Sequence, residues 1–314
     1  MILLLGSNGQ LGTGVALELA KRKYDFFAAD YNTLNIAKEE EVNAFISFLK
    51  PKVIINAAAY TDVNKAERQR EVADLINNKA VENIWKACVN NFDEEEQPTI
   101  IHYSTDYVFD GIKSDENLGY LESDVTNPLS YYGLSKRNGE VTLVKNYKRS
   151  VIIRTSWLFS EHGNNFIKTI ANKLVESSSD PVTIVNDQFG SPTSARSLAG
   201  LSALITDKIV GDKNFKDNSK NLEREGRYGI YHFSGSGKIS WFDFGNAIRS
   251  YCKLFTNAPL RVIKSQTSDP QALVKRPNNS VMNCEKIKSW LKLSDRYFNW
   301  GKDCHDLVQT VFKK

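Results

Sequence analysis

The stretch "MILLLGSNGQLG" (residues 1–12) contains a short apolar run that leads directly into three glycines, Gly6, Gly9 and Gly12. The residues that follow, "GTGVALELAKR" (12–22), have the apolar spacing of an amphipathic helix. A tight glycine turn in this place lets backbone N–H groups at the helix start face a pyrophosphate, with no side chain in between. The spacing therefore predicts a dinucleotide site, and a purely structural turn is the alternative.

Short apolar runs and amphipathic stretches continue to alternate after this unit. Because parallel strands need helical crossovers and are buried on both faces, the alternation predicts an α/β fold with a doubly wound parallel Rossmann-type sheet. Further along the chain the pattern loosens, and we expect a smaller C-terminal lobe there, which we take as the substrate-binding lobe. The segments that carry the sheet prediction are "YDFFAAD" (24–30), "EEEVNAFISFLK" (39–50), "KVIINAAA" (52–59), "REVADLINNKAVENIWKACV" (70–89), "PTIIHYST" (98–105), "SVIIRTSWLF" (150–159) and "GIYHFSGSG" (229–237).

We expect the two parts to interleave along the chain. The predicted NAD(P)-binding domain spans 1–160 and 228–255, and the predicted substrate-binding lobe spans 161–227 and 256–314. Within the lobe we expect a helix from Ser194 to Thr206. The stretch from Asp207 to Arg227 is polar and mixed in charge, so it is predicted to be a surface insertion.

Composition excludes several classes of function. The 314 residues include 41 basic and 37 acidic ones, spread along the chain without a basic stripe, which argues against a nucleic-acid partner. The first apolar run is too short for a signal peptide or a membrane span, so we expect a cytoplasmic protein with no membrane partner. The four cysteines and four histidines have no metal-ligand spacing, and no metal is predicted.

The segment "YYGLSK" (131–136) presents two tyrosines and a lysine. If it is helical, Tyr132 lies about 40° from Lys136 around the axis, whereas Tyr131 lies about 140° away. A tyrosine has a pKa of about 10 and needs its environment to shift it before it works well near neutral pH. We expect the Lys136 ammonium to lower the Tyr132 pKa, although a chance Y-x-x-x-K pattern is the alternative.

With these motifs in order, the chain resembles the extended short-chain dehydrogenase/reductases, and within them it is similar to the dTDP-4-dehydrorhamnose reductase family. The resemblance runs nearly end to end. Its motifs are "GSNGQLG" (6–12), "NAAAYTDVNKAE" (56–67), "STDYVFDG" (104–111), "YGLSKRNGE" (132–140), "RTSWLF" (154–159), "GNNF" (163–166), "VNDQFGSPT" (185–193) and "RPNNS" (276–280).

The resemblance implies a site for NADPH or NADH. It makes Tyr132 the acid that protonates the sugar C4 oxygen, Lys136 the residue that tunes it and bonds the nicotinamide ribose, and Thr105 the third member. The residues that would line the cofactor are Gly6, Gly9, Gln10, Leu11, Gly12, Asp30, Asn35, Ile36, Ala58, Ala59, Tyr60, Tyr103, Tyr132 and Lys136. Asp30, at the end of the second predicted strand, favours NADH, because a carboxylate accepts hydrogen bonds from the adenosine ribose.

The resemblance also implies a nucleotide-sugar substrate. Thr105, Asp106 and Trp157 would touch the sugar, with a core aromatic as the alternative for Trp157. Asn165, Gln188 and Arg276 would hold the nucleotide end. A guanidinium suits a pyrophosphate, although Arg276 could equally form a structural ion pair.

The chain departs from the family pattern at four positions. Asn35 and Asn64 stand where the family usually has Asp, which loosens the expected cofactor preference. Some relatives bridge two subunits with magnesium through glutamates at two positions, and Gly14 and Arg196 occupy those positions here. A homodimer is therefore compatible with the resemblance, but a metal-bridged one is not predicted.

The function implied is reduction of the C4 keto group of dTDP-4-dehydro-6-deoxy-L-mannose to dTDP-L-rhamnose. One alternative keeps the chemistry and changes the substrate to a UDP-linked or acetamido keto sugar. The other is a non-catalytic regulatory subunit, since a relative of this subfamily serves methionine adenosyltransferase in that way. Intact Thr105, Tyr132 and Lys136 favour an enzyme.

Overall fold

Six parallel strands form the central sheet, as the sequence predicts. A computed structural model describes residues 1–113, 119–211 and 227–313. The strands are β1 (Ile2–Leu5), β2 (Phe26–Ala29), β3 (Val53–Asn56), β4 (Thr99–Thr105), β5 (Ser150–Thr155), β6 (Leu158–Phe159), β7 (Val182–Val185), β8 (Phe189–Gly190), β9 (Thr193–Ser194), β10 (Gly229–His232), β11 (Ile239–Ser240) and β12 (Ile263–Gln266). The sheet order is β2-β1-β3-β4-β5-β10. The order reverses between β1 and β3, which makes that point the expected ligand crevice.

Helices cover both faces of this sheet. They are α1 (Gln10–Lys21), α2 (Glu39–Leu49), α3 (Val63–Ala66), α4 (Arg70–Asp74), α5 (Ala80–Asn91), α6 (Tyr131–Asn146), α7 (Phe166–Val175), α8 (Ala195–Gly211), α9 (Trp241–Cys252), α10 (Glu285–Leu291) and α11 (Trp300–Phe312). One core lies between the sheet and α1, α8 and α10, and a second lies under α2, α5 and α6. The strands are apolar on both faces because both faces are buried.

A third core belongs to the smaller lobe. Helices α7, α9 and α11 pack there with β7 and β12. Helix α8 instead packs along α1, and α10 packs on β10. Helices α8 and α10, which the predicted limits at 160, 228 and 255 assign to the lobe, thus pack on the sheet half. The division into functional domains stays a prediction.

Two segments differ from their sequence-based expectation. The run 150–159, expected as one strand, divides into β5 and β6, because Trp157 has a left-handed backbone with φ of 45°. Helix α8 runs five residues past Thr206, to Gly211, because the Asp207 carboxylate accepts a hydrogen bond from Tyr24 at 2.5 Å and pairs with Arg22. The first part of the predicted surface insertion, 207–211, therefore belongs to helix α8. Residues 212–226 of that predicted insertion lie outside the described residues.

Helix α6 lies unusually close to its neighbours. A Cβ added to Gly133 would stand 2.2 Å from the Tyr107 carbonyl oxygen, and one added to Gly139 would stand 2.2 Å from the Asn77 carbonyl oxygen. Only glycine allows both approaches, so the two contacts fix the depth of α6 and with it the height of Tyr132 and Lys136. Among the described residues, no helix has the length and apolar character needed to cross a bilayer.

Candidate active site

The site lies at the carboxyl ends of β1, β3 and β4, next to the reversal in strand order. The glycine loop follows β1, Asn56 ends β3 and Thr105 ends β4. Helix α6 brings Tyr132 to this edge. The residues predicted from widely separated motifs thus meet at the crevice expected for a doubly wound sheet.

The glycine loop is packed so tightly that side chains cannot be added. Gly6 has φ of 73°, and a Cβ there would lie 2.6 Å from the Ala58 nitrogen. A Cβ on Gly12 would lie 2.0 Å from the Gly6 carbonyl oxygen. Gly9 precedes α1, and Gln10 and Leu11 begin it. This cradle fits a dinucleotide pyrophosphate, because backbone N–H groups at the helix start stay uncovered.

The end of β2 holds its polar groups in a turn. One carboxylate oxygen of Asp30 accepts from the backbone N–H groups of Asn32 and Thr33 at 3.1 and 3.0 Å and from the Thr33 hydroxyl at 2.9 Å. These hydrogen bonds, led by the Thr33 hydroxyl, lower the Asp30 pKa. The second oxygen is 3.5 Å from the Asn8 amide nitrogen, so it is the better placed acceptor for a ribose hydroxyl.

Asn35 and Ile36 lie just beyond that turn. The Asn35 side chain accepts from the Ala37 N–H at 3.1 Å. Ile36 is buried against α2 and α5, and its carbonyl accepts from Asn83 at 3.0 Å. The Asn35 contact is local, whereas the Ile36 contact joins α5 to this turn across 47 positions. A role for these two residues at the cofactor stays a prediction.

Asn77 fixes the segment after β3. It lies in a π-helical turn, Leu75–Lys79, between α4 and α5. Its side chain accepts from the Tyr60 N–H at 2.9 Å, donates to the Tyr60 carbonyl at 3.0 Å, and donates to the Ser135 hydroxyl at 2.9 Å. One buried amide therefore ties the predicted cofactor segment, Ala58 to Tyr60, to helix α6. Sequence reasoning missed it, because a lone Asn in a helical pattern carries no signal of this kind.

The two adjacent tyrosines have different surroundings. The Tyr131 N–H donates to Glu67 at 2.7 Å and its ring lies under Arg70. Tyr132 contacts Tyr107 edge to face, with ring centroids 6.0 Å apart. Helical geometry puts Lys136 on the Tyr132 side, so the structure presents Tyr132 and Lys136 together and directs Tyr131 elsewhere.

Burial dominates the electrostatics of this pair. It raises the pKa of Tyr132 to about 12, with the Thr105 hydroxyl, within hydrogen-bonding reach, lowering it and Asp106 raising it. Burial lowers the pKa of Lys136 to about 8, against the favourable charge of Glu140. Burial rather than Lys136 therefore sets the Tyr132 pKa in this structure, and the shift is upward, opposite to the expected one. A phenol that keeps its proton at neutral pH suits a proton donor.

Asp106 forms the next link from Thr105. It is 2% exposed, and it accepts from the Thr105 hydroxyl at 3.0 Å and from the Ser280 hydroxyl at 2.5 Å. Burial raises its pKa to about 7, although both hydroxyls lower it. Protein donors thus occupy both carboxylate oxygens, and direct contact between Asp106 and a sugar stays a prediction. Ser280 ends the "RPNNS" motif, but nothing in its spacing points to a partner 174 positions away.

The residues predicted for the substrate end are spread more widely. The Trp157 ring stacks on Trp241 with centroids 3.6 Å apart, in a cluster with Phe244, and remains partly exposed. Asn165 caps α7 and donates to the Ser160 carbonyl at 2.7 Å. Its amide also lies 3.3 Å from the Gln10 side chain, which joins the smaller lobe to the glycine loop. These hydrogen bonds give Asn165 a structural role that needs no ligand.

Gln188 and Arg276 come from different segments of the chain. Gln188 is buried, between β7 and β8. Arg276 donates to the Asn64 side chain at 2.7 Å and faces the Tyr107 phenol. Asn64, one of the departures from the family pattern, thus holds the guanidinium close to the catalytic edge. Nucleotide binding by these residues stays a prediction.

Tyr103 is placed away from the others. It is 7% exposed, and its hydroxyl lies 2.5 Å from that of Ser202 on α8, inside the core. The predicted cofactor contact by its side chain therefore finds no support in its position. Within the described parts of the chain, no group of His, Cys, Asp and Glu is arranged for a metal, and Arg196 pairs with Glu161 and Asp303.

Known proteins are similar to this chain in sequence and in fold. A family model described as "RmlD substrate binding domain" matches residues 1–312. A dTDP-4-dehydrorhamnose reductase from Aggregatibacter actinomycetemcomitans is 38% identical over 291 residues, 91% of this chain and 92% of the relative. A solved dTDP-4-dehydrorhamnose reductase from Clostridium acetobutylicum superposes with a TM-score of 0.81 at 30% identity, over 99% of both chains. A dTDP-4-dehydrorhamnose reductase from Bacillus anthracis, solved with NADP, gives 0.78 at 28%, over 99% of this chain and 98% of that one.

Proposed function

We propose, because the chain belongs to the dTDP-4-dehydrorhamnose reductase family, that it reduces the C4 keto group of dTDP-4-dehydro-6-deoxy-L-mannose to dTDP-L-rhamnose with NADPH or NADH. Membership extends over 1–312, so it covers both the sheet and the smaller lobe. The observation that carries the proposal is the meeting of Thr105, Tyr132 and Lys136 at the strand ends beside the glycine loop.

The proposed roles follow from the surroundings of each group. The bound nicotinamide supplies the hydride that reaches the C4 carbon of the sugar. The Tyr132 phenol, which is protonated at neutral pH, gives its proton to the C4 oxygen. Because burial raises its pKa and makes it a weaker acid, the transfer depends on a positive charge that stabilises the phenolate. The positive charge of Lys136 stabilises the phenolate that forms when Tyr132 gives up its proton. Thr105, whose hydroxyl lies beside the phenol, would orient it.

The proposed cofactor site uses the loops that follow the first three strands. Backbone N–H groups of Gln10 and Leu11 face the pyrophosphate, because Gly6 and Gly12 leave the approach open. The Asp30 carboxylate oxygen that lies 3.5 Å from the Asn8 amide would accept a hydrogen bond from the adenosine ribose. The solved relative from Bacillus anthracis contains NADP, so both NADPH and NADH belong in the test.

The proposed substrate site lies between the catalytic edge and the smaller lobe. Trp157, on the first turn of chain after β5, offers a partly exposed ring to the sugar. Arg276 presents a cation beside Tyr107 for the diphosphate. The third core, under α7, α9 and α11, packs the half of the molecule that would support the nucleotide.

A panel of purified nucleotide keto sugars tests the proposal. The dTDP-linked, UDP-linked and acetamido 4-keto sugars are each offered with NADPH and with NADH, and cofactor oxidation is followed by absorbance. We expect the dTDP-linked 6-deoxy sugar to have the highest kcat/KM. Binding of NADPH without turnover of any member, together with copurification of a synthetase, would favour a regulatory subunit instead.

Assembly and location are further parts of the proposal. We expect a homodimer in the cytoplasm, supported by the family resemblance and by four cysteines that are all free thiols. Light scattering after size exclusion, with and without a chelator, measures the mass of the assembly. A dimer that dissociates on chelation would contradict the expectation that no metal bridges the subunits.

A further inference from the structure

A buried chain of polar side chains leads away from the catalytic tyrosine. Hydrogen bonds join Thr105 to Asp106 and Asp106 to Ser280, and the Thr105 hydroxyl lies near enough to the Tyr132 phenol to lower its pKa. Thr105, Asp106 and Ser280 are 5%, 2% and 2% exposed. The Ser280 hydroxyl donates to one carboxylate oxygen of Asp106 at 2.5 Å, and the Thr105 hydroxyl donates to the other at 3.0 Å. The last member comes from a distant part of the sequence.

The hydrogen atoms of this chain can be counted at Thr105. A threonine hydroxyl has one hydrogen and two lone pairs. Here the hydrogen points to Asp106, and one lone pair accepts from the Tyr107 N–H at 3.1 Å. The remaining lone pair is left for Tyr132. As long as Asp106 is ionised, Thr105 can therefore only accept from the phenol and cannot donate to a substrate carbonyl.

A proton on Asp106 reverses this polarity. The carboxylic acid then donates to Thr105, and the Thr105 hydrogen is released toward the crevice. Both Thr105 and Tyr132 can then donate to the C4 oxygen of a keto sugar, which is the arrangement that best polarises a carbonyl. No proton leaves Asp106 in this step, because only the direction of the hydrogen bonds changes.

Ser280 acts against that reversal. Its hydroxyl donates to the carboxylate and therefore favours the ionised form, whereas burial favours the protonated form, and the pKa of Asp106 is raised to about 7. The titratable groups that face Asp106 are Tyr107, from the turn after β4, and Tyr132, from α6. Arg276 faces Tyr107 from the C-terminal segment.

Ser280 is itself held firmly. Its N–H donates to the Phe189 carbonyl at 2.9 Å, and the Phe189 N–H donates to the Asn278 carbonyl at 2.7 Å. The segment 276–280 also lies against Gly111, where an added Cβ would meet the Asn278 nitrogen at 2.5 Å. These contacts hold the Ser280 backbone in place, so its hydroxyl stays within reach of Asp106.

We propose that Ser280 is a positioning residue that sets, through Asp106, the direction in which the Thr105 hydroxyl hydrogen points. This inference rests on the proposed reductase function. Reduction is fastest when Asp106 carries a proton, and the rate falls as Asp106 ionises. Removing the Ser280 hydroxyl moves that fall to higher pH, because the ionised form loses a donor.

The pH dependence of kcat for the dTDP-linked keto sugar tests the proposal in the full-length protein. In Ser280→Ala we expect the fall in rate to move up by roughly one pH unit, the size expected for a lost hydrogen bond to a charged group. Ser280→Thr keeps the hydroxyl and should follow the wild-type profile. Ser280→Cys, with a weak S–H donor, should shift the profile in the same direction by less.

Ser150→Ala is the matched control. Ser150 is also 2% exposed, and its hydroxyl donates to the Tyr147 carbonyl at 3.0 Å, at the opposite end of the sheet. It should lower stability without moving the pH profile. If Ser280→Ala and Ser280→Cys lower kcat equally at every pH, Ser280 is only structural and the proposal is overturned.

Infrared titration gives a readout that does not need turnover. The C=O band of a protonated buried carboxyl is assigned to Asp106 by its loss in Asp106→Asn. Its midpoint should rise by roughly one pH unit in Ser280→Ala relative to wild type, and an equal midpoint would overturn the proposal. Failure of the reductase function would appear separately, as wild-type protein that turns over no keto sugar.

Discussion

Helix α6 carries two buried charges one turn apart, and the chain treats them in opposite ways. Glu140 receives two hydrogen bonds from the Arg154 guanidinium, at 2.9 and 2.7 Å, and both side chains are 3% exposed. Lys136 is also 3% exposed, but burial opposes its charge, and the group that favours it is Glu140, which is already paired with Arg154. The Glu140 charge is compensated by Arg154, whereas the Lys136 charge has no ion-pair partner of its own in the part of the chain that the structure describes.

The histidines beside these charges differ in the same way. His232 donates from Nδ1 to the Tyr120 carbonyl at 3.0 Å and has Nε2 3.4 Å from Arg154. His102, near Lys136, meets Asn56 at 3.2 Å through Nδ1, whereas its Nε2 has no partner among the described residues. At the Arg154 end of α6 the buried polar groups have hydrogen-bond partners, as in a structural core. The Lys136 end leaves polar groups uncompensated, as a reactive site does.

The largest expected effect is on turnover at the reactive end. Tyr132→Phe removes the proton donor, so kcat should fall roughly thousandfold, about 4 kcal/mol of transition-state stabilisation. Cofactor affinity, measured by nicotinamide fluorescence, should stay nearly unchanged. Tyr131→Phe is the matched control on the same helix, and it should retain wild-type kcat. Equal losses in the two variants would remove Tyr132 from the mechanism.

At the compensated end the expected effect is on stability. Arg154→Met leaves Glu140 buried without its partner, which should cost about 3 kcal/mol or more in the free energy of unfolding. Urea denaturation measures this. Arg196→Met is the control, because Arg196 is 57% exposed in its ion pairs and such pairs contribute about 0–1 kcal/mol. Similar losses in both variants would contradict the difference drawn between buried and exposed pairs.

Lys136→Met should raise the free energy of unfolding, whereas Arg154→Met should lower it. A buried lysine whose pKa falls to about 8 destabilises the fold at neutral pH, so the variant should be more stable by about 3 kcal/mol while losing most of its activity. Because the unfolded lysine binds its proton more tightly, wild-type stability should rise from pH 8 to 10, and the variant should lack that rise. A variant that is less stable than wild type at pH 7 would show that Lys136 is compensated.

The smallest expected effect concerns acid sensitivity. Burial, followed by the charge of Arg154, lowers the His232 pKa to about 3, whereas an unfolded histidine titrates near 6.5. The unfolded chain therefore takes up the proton first, and stability is lost as pH falls through 6.5. Between pH 7 and 5.5 wild type should lose about 1 kcal/mol more than His232→Gln, by urea denaturation at each pH. Parallel curves would contradict a neutral His232.

The sequence predicted the sheet well because the information there is local. Apolar runs such as Ile2–Leu5 and Val53–Asn56 become strands wherever they are long enough to be buried on both faces. Tyr132 and Lys136 were predictable for the same reason, since helical spacing alone puts them on one side. The break at Trp157 was not, because a left-handed backbone at a tryptophan has no local signature.

The electrostatics of the site could not be predicted from neighbouring residues. The pKa of Tyr132 depends on burial, which is set by contacts with Thr105, Asp106 and Tyr107 from another part of the chain. Ser280 reaches Asp106 across 174 positions. Spacing shows which groups share a helix, whereas the state of each group depends on how the tertiary fold excludes water.

Hydride transfer itself tests the account most directly. Wild-type protein is given NADPH that carries deuterium at the transferred position, together with the dTDP-linked 4-keto sugar, and the product is analysed by NMR and mass spectrometry. The account predicts one deuterium, bonded to C4 of the product sugar. Oxidation of NADPH without deuterium at C4 would contradict it.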